Sequence, residues 1–250
     1  MIVTLPFNYL PKMPKTRYLQ LPFSFDIERL QQDLMIASRS DWISHFNKRA
    51  YENDWSCIPL RSVGGRSDHI LPLDGQQFED TAILQQCHYF QEVIKQFDCE
   101  VTSVRLMALA AGGEIKEHRD AGTSLEDGIT RLHVPIQSNP EVLFSIDGEL
   151  VHFSVGNTWY LNASCLHGVR NTSTQTRIHL MLDCVTNTWL EDIFLNAGWR
   201  QPEPSIYADP NINNENVHQI ISELRMGGSE TGLLMADKLE RSFHQQTRLD

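Results

Sequence analysis

Residues 142–153, VLFSIDGELVHF, read as two short strands, Val142–Ile146 and Glu149–Phe153, joined by Asp147-Gly148. Asp-Gly between alternating apolar runs is a strong hairpin signal, because the tight type I′ turn needs positive φ at both central residues. The same pattern extends outward. From 101 to 185 the apolar period is two, in runs at about 101–109, 114–119, 129–137, 142–146, 149–154, 158–161, 166–171 and 177–185. Gly112-Gly113, Asn139-Pro140 and Gly156-Asn157 punctuate them. Short strands with no helix-length connection argue against a parallel α/β sheet. They predict a mainly β fold with flanking helices, its core a double-stranded β-helix, the jelly roll also found in cupins.

On the N-terminal side, Pro6, Pro11, Pro14 and Pro22 predict extended segments and turns over 1–25. Asp26 is placed to cap a helix over 26–37, with Ile27, Leu30 and Leu34 on one face. Residues 55–73 read as strand and loop. Ile83, Cys87, Phe90, Ile94 and Phe97 mark the apolar stripe of a supporting helix over 78–97. Helical periodicity returns after 185. Trp189, Leu190, Ile193, Phe194 and Ala197 form one stripe ending at Gly198, Val217, Ile220, Ile221 and Leu224 a second, and 230–243 a third. Pro202, Pro204, Pro210 and an Asn-rich stretch at 211–215 lie between. The expected organisation is a barrel domain with N-terminal supporting helices over 1–190 and a C-terminal helical extension over 191–250. The extension's stripes suit packing on the barrel or on a second subunit, so a homodimer is one expectation.

The 250 residues are 41% hydrophobic and 21% charged, ordinary for a globular chain. A formal charge of -11 with no basic stripe argues against nucleic acid as a partner. Cys57, Cys87, Cys99, Cys165 and Cys184 are odd in number and form no CxxC pair, which suits reduced thiols. The N-terminus lacks the basic-then-apolar pattern of a signal peptide, and no apolar run approaches the ~18 residues that span a bilayer. The expectation is a soluble cytoplasmic protein with no membrane partner.

His118 and Asp120 stand at i and i+2, on one side of a strand end. His167 begins another strand, after the hairpins needed to bring it alongside. Two imidazoles and one carboxylate fill one face of an octahedral metal and leave three positions open. That is the pattern of a non-haem Fe(II) oxygenase, whereas a structural zinc site is closed by protein. A lone HxD arises readily by chance in a chain with ten histidines; its placement on predicted barrel strands gives it weight. His45, His69, His88, His152, His179, His218 and His244 read as surface or satisfied-core residues.

Arg177 begins the apolar run RIHLMLD, 177–183. An inward arginine is costly unless an anion meets it, and the far carboxylate of 2-oxoglutarate suits a bidentate guanidinium. An arginine facing solvent at a strand start gives the same pattern. Arg131 and His133 share one side of the run ITRLHVPI, 129–136, with Leu132, Val134 and Ile136 on the other. They suit either an anionic ligand or an outward polar face.

The order His118-x-Asp120, Arg131-Leu-His133-Val-Pro-Ile, Asn139-Pro140, Gly156-x-x-Trp159-Tyr160-Leu-Asn162, His167-x-Val-x-Asn171 and Arg177 resembles the aspartyl/asparaginyl β-hydroxylase family. That family includes bacterial hydroxylases of free amino acids. The resemblance covers about 100–185 and extends to Trp55–Gly65. It implies a double-stranded β-helix binding Fe(II) through His118, Asp120 and His167. It implies Arg177 on the C5 carboxylate of 2-oxoglutarate, and Arg131 with His133 near its C1 carboxylate. Arg105 resembles the arginine that meets the substrate carboxylate, although it is equally placed for the co-substrate pocket or the surface. Asp120, which the mammalian member and the Fe(II)/2-oxoglutarate halogenases lack, implies hydroxylation. The implied activity is an O2-consuming, Fe(II)- and 2-oxoglutarate-dependent dioxygenase that hydroxylates an amino acid, a free L-amino acid in the first instance, releasing succinate and CO2. A peptidyl or carrier-bound residue is the rival substrate, and a non-enzymatic cupin-like binding module the rival class.

Overall fold

The computed structural model describes residues 16–45, 47–70, 77–200 and 216–246, with Tyr207, Asp209, Ile212 and Asn214 between the last two. The turns expected at Pro6, Pro11 and Pro14, and the prolines at 202, 204 and 210, lie outside the described residues.

Lys15–Arg200 forms one compact unit. In chain order it holds β1 (Tyr18–Ser24), α1 (Ile27–Ala37), β2 (Ile43–Ser44), β3 (Tyr51–Glu52), β4 (Trp55–Val63), β5 (Phe78–Asp80), α2 (His88–Ile94), β6 (Val101–Leu109), β7 (Glu114–His118) and β8 (Ile129–Gln137). Then come β9 (Val142–Ile146), β10 (Glu149–Val151), β11 (Asn157–Leu161), β12 (His167–Asn171), β13 (Arg177–Val185) and α3 (Thr188–Asn196). One sheet runs β1-β11-β8-β13-β6-β4-β2, with β5 also on β4; the other runs β10-β9-β12-β7-β3. The described pairs are antiparallel. This is the double-stranded β-helix that the sequence predicts.

The hairpin forms as expected: Ile146 pairs with Glu149, and Asp147 and Gly148 take φ of 45° and 81°. The central strands of the larger sheet are buried on both faces. Leu132, Val134 and Ile136 of β8, Leu180 and Leu182 of β13 and Val104 and Leu106 of β6 point outward, and pack with Leu30 and Leu34 of α1 and Phe90 and Val93 of α2. Each such fully buried aliphatic side chain contributes roughly 1.5–3 kcal/mol. The alternate positions point inward, where Met107, Leu109 and Met181 meet Ile115, Phe144, Ile146 and Val169 of the second sheet. The outer helices therefore fix the sheet whose inner face carries the polar residues described below.

Asp26 caps α1, its Oδ1 accepting from the Arg29 N–H at 3.1 Å. Ile27 does not join the buried face of that helix; it is exposed. The helix expected over 78–97 is shorter. Phe78–Asp80 adds to β4 as β5, with Arg61 paired to Asp80. The Thr81 hydroxyl donates to the Pro59 and Leu60 carbonyls and accepts from the Leu84 N–H. After a 3₁₀ turn at Leu84–Gln86, the non-helical Cys87 delays α2 to His88. The stripe is buried all the same, because turn and helix present Ile83, Cys87, Phe90 and Phe97 to the same core.

Asn187 caps α3, accepting from the Leu190 N–H at 3.0 Å, and Leu190 and Phe194 join the outer core. Residues from Gln201 onward belong to a separate compact unit. Within it α4 (Val217–Met226) and α5 (Glu230–Gln246) pack through Val217, Ile221, Ala236 and Leu239, and Arg225 pairs with Asp237 and Glu240. No described helix is long and apolar enough to cross a membrane.

Candidate active site

His118 ends β7 and His167 begins β12, and the two are direct partners in the ladder between those strands. Asp120 lies just beyond β7, in a segment fastened to the loop before β12. Its N–H donates to the Ala163 carbonyl at 2.8 Å, and Arg119 donates to the Ser164 carbonyl at 2.9 Å. One ligand atom from each of His118, Asp120 and His167 falls within 4.8 Å of the others. Each imidazole is oriented by a carbonyl two residues before it: His118 Nδ1 is 2.8 Å from Lys116 O, and His167 Nδ1 is 3.0 Å from Cys165 O. With Nδ1 holding the proton for that bond, Nε2 is left as the lone-pair donor, which is how metal-binding imidazoles are commonly set. Burial lowers the His167 pKa, while its bond to Cys165 works against that. The Asp120 carboxyl is raised by burial, but the Arg131 and His118 charges outweigh this and hold it below the usual carboxylate value. The donor set fits a divalent metal: two imidazoles that each leave Nε2 free to bind, one carboxylate, and protein on one side.

The cluster lines a cavity of about 1040 Å³ between the two sheets. Arg105, Arg131, His133 and Arg177 line the same cavity, so each points inward and none belongs to an outward polar face. Arg177 is 3% exposed; its guanidinium carbon lies 5.8 Å from the Phe144 ring centroid. No acid pairs with it among the described residues, its Nε has no partner, and burial pushes its pKa down to about 10. A buried, unneutralised guanidinium in a cavity fits an external carboxylate. His133 is buried against Phe144 and Phe153, with its Nδ1 3.5 Å from that of His179 and its Nε2 without a partner. Burial, and then the charges of Arg131 and Arg177, hold His133 neutral.

Sequence reasoning missed Asp183. It is 2% exposed and stands between two arginines. Its Oδ2 accepts from Arg105 Nη2 at 2.7 Å, and its two oxygens accept from Arg131 Nε at 2.7 Å and Nη2 at 3.3 Å. Arg131 Nη1 in turn donates to Asp120 Oδ2. Arg105 also donates to the Ile70 carbonyl at 3.1 Å, and its Nε has no partner. His45, read as a surface or satisfied-core residue, lines the cavity stacked on Trp55 at 3.6 Å. His179, read the same way, is fully buried and touches His133. The only sequence signal for Asp183 was an acid in a run otherwise suited to burial.

A jelly roll that converges two imidazoles and a carboxylate on a cation-lined cavity has the design of a mononuclear non-haem metal oxygenase. Residues 25–187 match the family described as Aspartyl/Asparaginyl beta-hydroxylase, and the chain belongs to that family. It is 24% identical over 175 residues to L-proline cis-4-hydroxylase from Rhizobium meliloti (strain 1021), covering 69% of this chain and 62% of that protein. It is 25% identical over 164 residues to L-proline cis-3-hydroxylase 1 from Streptomyces sp, covering 63% and 56%. The chain thus spans less than two thirds of the length of these curated relatives. Among solved structures it is similar to an oxidoreductase of the 2OG-Fe(II) oxygenase family from Burkholderia pseudomallei, with a TM-score of 0.46 and 14% identity over 74% of this chain and 89% of that one.

Proposed function

We propose that the protein is an Fe(II)- and 2-oxoglutarate-dependent dioxygenase that hydroxylates a free L-amino acid. One observation carries the reading: a single cavity is lined both by the His118, Asp120 and His167 cluster and by Arg177, a buried cation that no described acid neutralises. Nε2 of His118, Nε2 of His167 and an oxygen of Asp120 would hold the iron. Arg177 would take the C5 carboxylate of 2-oxoglutarate, and neutral His133 would donate to the C1 carboxylate. Arg131 spends three of its five N–H donors on Asp183 and Asp120, so two remain for the same carboxylate. When bound, iron and 2-oxoglutarate supply the oxidation: with O2 the keto-acid leaves as succinate and CO2, and one oxygen atom enters a substrate C–H bond as a hydroxyl group.

The chain contributes position. Arg177 and His133 hold the keto-acid in one orientation, which makes the reaction nearly intramolecular. Arg105, with its Nε unpartnered and its guanidinium fixed by Asp183 and Ile70, would receive the substrate carboxylate. Asp120 occupies the position whose loss would open room for a halide, so hydroxylation is the outcome it supports. Five cysteines, odd in number and with no CxxC pair, suit a reducing compartment.

The test supplies purified protein with Fe(II), 2-oxoglutarate and each of the twenty amino acids, reading succinate and the mass of the amino acid. One amino acid is expected to raise succinate formation and to gain one oxygen atom. Stimulation only by peptides would move the substrate to a peptidyl residue. No charge-transfer band on anaerobic mixing of Fe(II) and 2-oxoglutarate, and no succinate with any substrate, would overturn the reading.

A further inference from the structure

We propose that Asp183 is a positioning residue for the metal-binding carboxylate, acting through Arg131. The inference rests on the reading of His118, Asp120 and His167 as a metal site and goes beyond it. Asp183 lies opposite Arg131 in the β8–β13 pairing, and Arg105 opposite Met181 in the β6–β13 pairing, so the three groups share the inner face of one sheet. Asp183 holds Arg131 by Nε and by one terminal nitrogen. A guanidinium gripped along that edge is fixed in plane and rotation, because its donors form a rigid fork. The remaining terminal nitrogen, Nη1, then points at Asp120 Oδ2.

That leaves Asp120 Oδ1 facing the imidazoles, 3.8 Å from His118 Nε2. The chain Asp183–Arg131–Asp120 thus assigns one oxygen of Asp120 to the protein and the other to the metal. Asp183 has a second partner, Arg105, which holds it from the opposite side. Burial of Asp183 favours its neutral form, but Arg131 and Arg105 outweigh burial and keep it ionised. Asp183 touches neither the cluster nor a reacting atom, so its effect must be carried by Arg131.

Affinity for Mn2+, measured by electron paramagnetic resonance on the full chain without keto-acid, tests this without relying on turnover. Asp183→Asn keeps size and shape and removes the charge that holds Arg131. It is expected to weaken Mn2+ binding about 10- to 100-fold, the usual effect of losing a partner that orients a metal ligand. Arg131→Met is expected to do the same, and Asp183→Asn added to Arg131→Met to change affinity by less than about twofold, because both act along one path. If Asp183→Asn alone destabilises the fold, Asp183→Asn with Arg105→Met removes one charge of each sign and is expected to show the same loss. Wild-type affinity in the folded Asp183→Asn protein would overturn the proposal, as would an equal loss in the Arg131→Met background. Failure of wild-type protein to bind Mn2+, or binding indifferent to His167→Ala, would instead overturn the metal reading beneath it.

Discussion

His118 and His167 stand directly opposite each other across the β7–β12 ladder, with ring centroids 4.4 Å apart. The pairing slips by one residue immediately after, between His167 and Val169, and the residue at the slip is Gly168. A Cβ there would lie 2.9 Å from the Ile115 carbonyl oxygen, so the strands approach this closely only because position 168 has no side chain. Gly168→Ala is therefore expected to push β12 away from β7 and spread the two imidazoles. Overpacking of this kind costs about 1–3 kcal/mol, read as a lower unfolding midpoint, and Mn2+ affinity should fall with it. A variant with unchanged affinity would show that the imidazole spacing does not depend on this close approach.

Arg177 should trade stability for binding. Its charge is buried with no described acid beside it, and burial alone brings its pKa down to about 10. Arg177→Met keeps the length and removes the charge. The ligand-free protein should become more stable, by an amount on the order of 2 kcal/mol. The same variant should lose the stabilisation that wild-type protein gains from 2-oxoglutarate, which is about 2.7 kcal/mol at a hundred times Kd. Thermal unfolding with and without the keto-acid checks both. A ligand-free variant less stable than wild type would mean that Arg177 is neutralised within the protein.

Three histidines of the barrel make stability fall in mild acid. Burial, and then nearby cations, hold His133 and His179 well below the ordinary value, and burial followed by the charge of Arg105 brings His45 to about 4. The unfolded chain takes up these protons as pH falls through about 6.5, while the native state does not. Their contribution is thus complete above that pH and is lost below it, with a limiting slope of about 1.4 kcal/mol per pH unit for each group. Urea unfolding at about pH 7 and about pH 5 should show the loss. His179→Phe, which suits the stack on Phe144, should make it shallower. An unchanged slope in that variant would remove His179 from the account.

The sequence was most legible where chemistry is local. The period-two runs, the Asp147-Gly148 turn and the cap at Asp26 each involve neighbours in the chain. The helix over 78–97 misled because Thr81 is claimed by the carbonyls of β4, about which its neighbours carry no signal. The cluster of His118, Asp120 and His167 was legible because HxD is fixed by strand geometry and the second imidazole falls on a partner strand. Asp183 was not, since its partners lie on β6 and β8 and only the folded sheet brings them together. Arg131 and His133 suited either an anionic ligand or an outward polar face from sequence alone, and the carboxylates that engage Arg131 could not be read with them.

Arg105 separates substrate binding from keto-acid turnover. It lines the cavity, donates to Asp183 and to the Ile70 carbonyl and keeps a buried Nε without a partner, whereas Arg177 lies at the other end of β13. Arg105→Met leaves Asp183 still paired with Arg131, so the metal cluster should persist. A charge-assisted hydrogen bond to the substrate carboxylate is worth roughly 1.5–3 kcal/mol. The KM for the amino acid should therefore rise about 10- to 150-fold, with the KM for 2-oxoglutarate little changed. Succinate should then form without matching hydroxylated product, because the keto-acid is still held while the amino acid is misplaced. The check is the ratio of succinate to hydroxylated product across substrate concentrations. Equal rises in both KM values would place Arg105 in the keto-acid pocket, and no change in either would leave it a structural partner of Asp183.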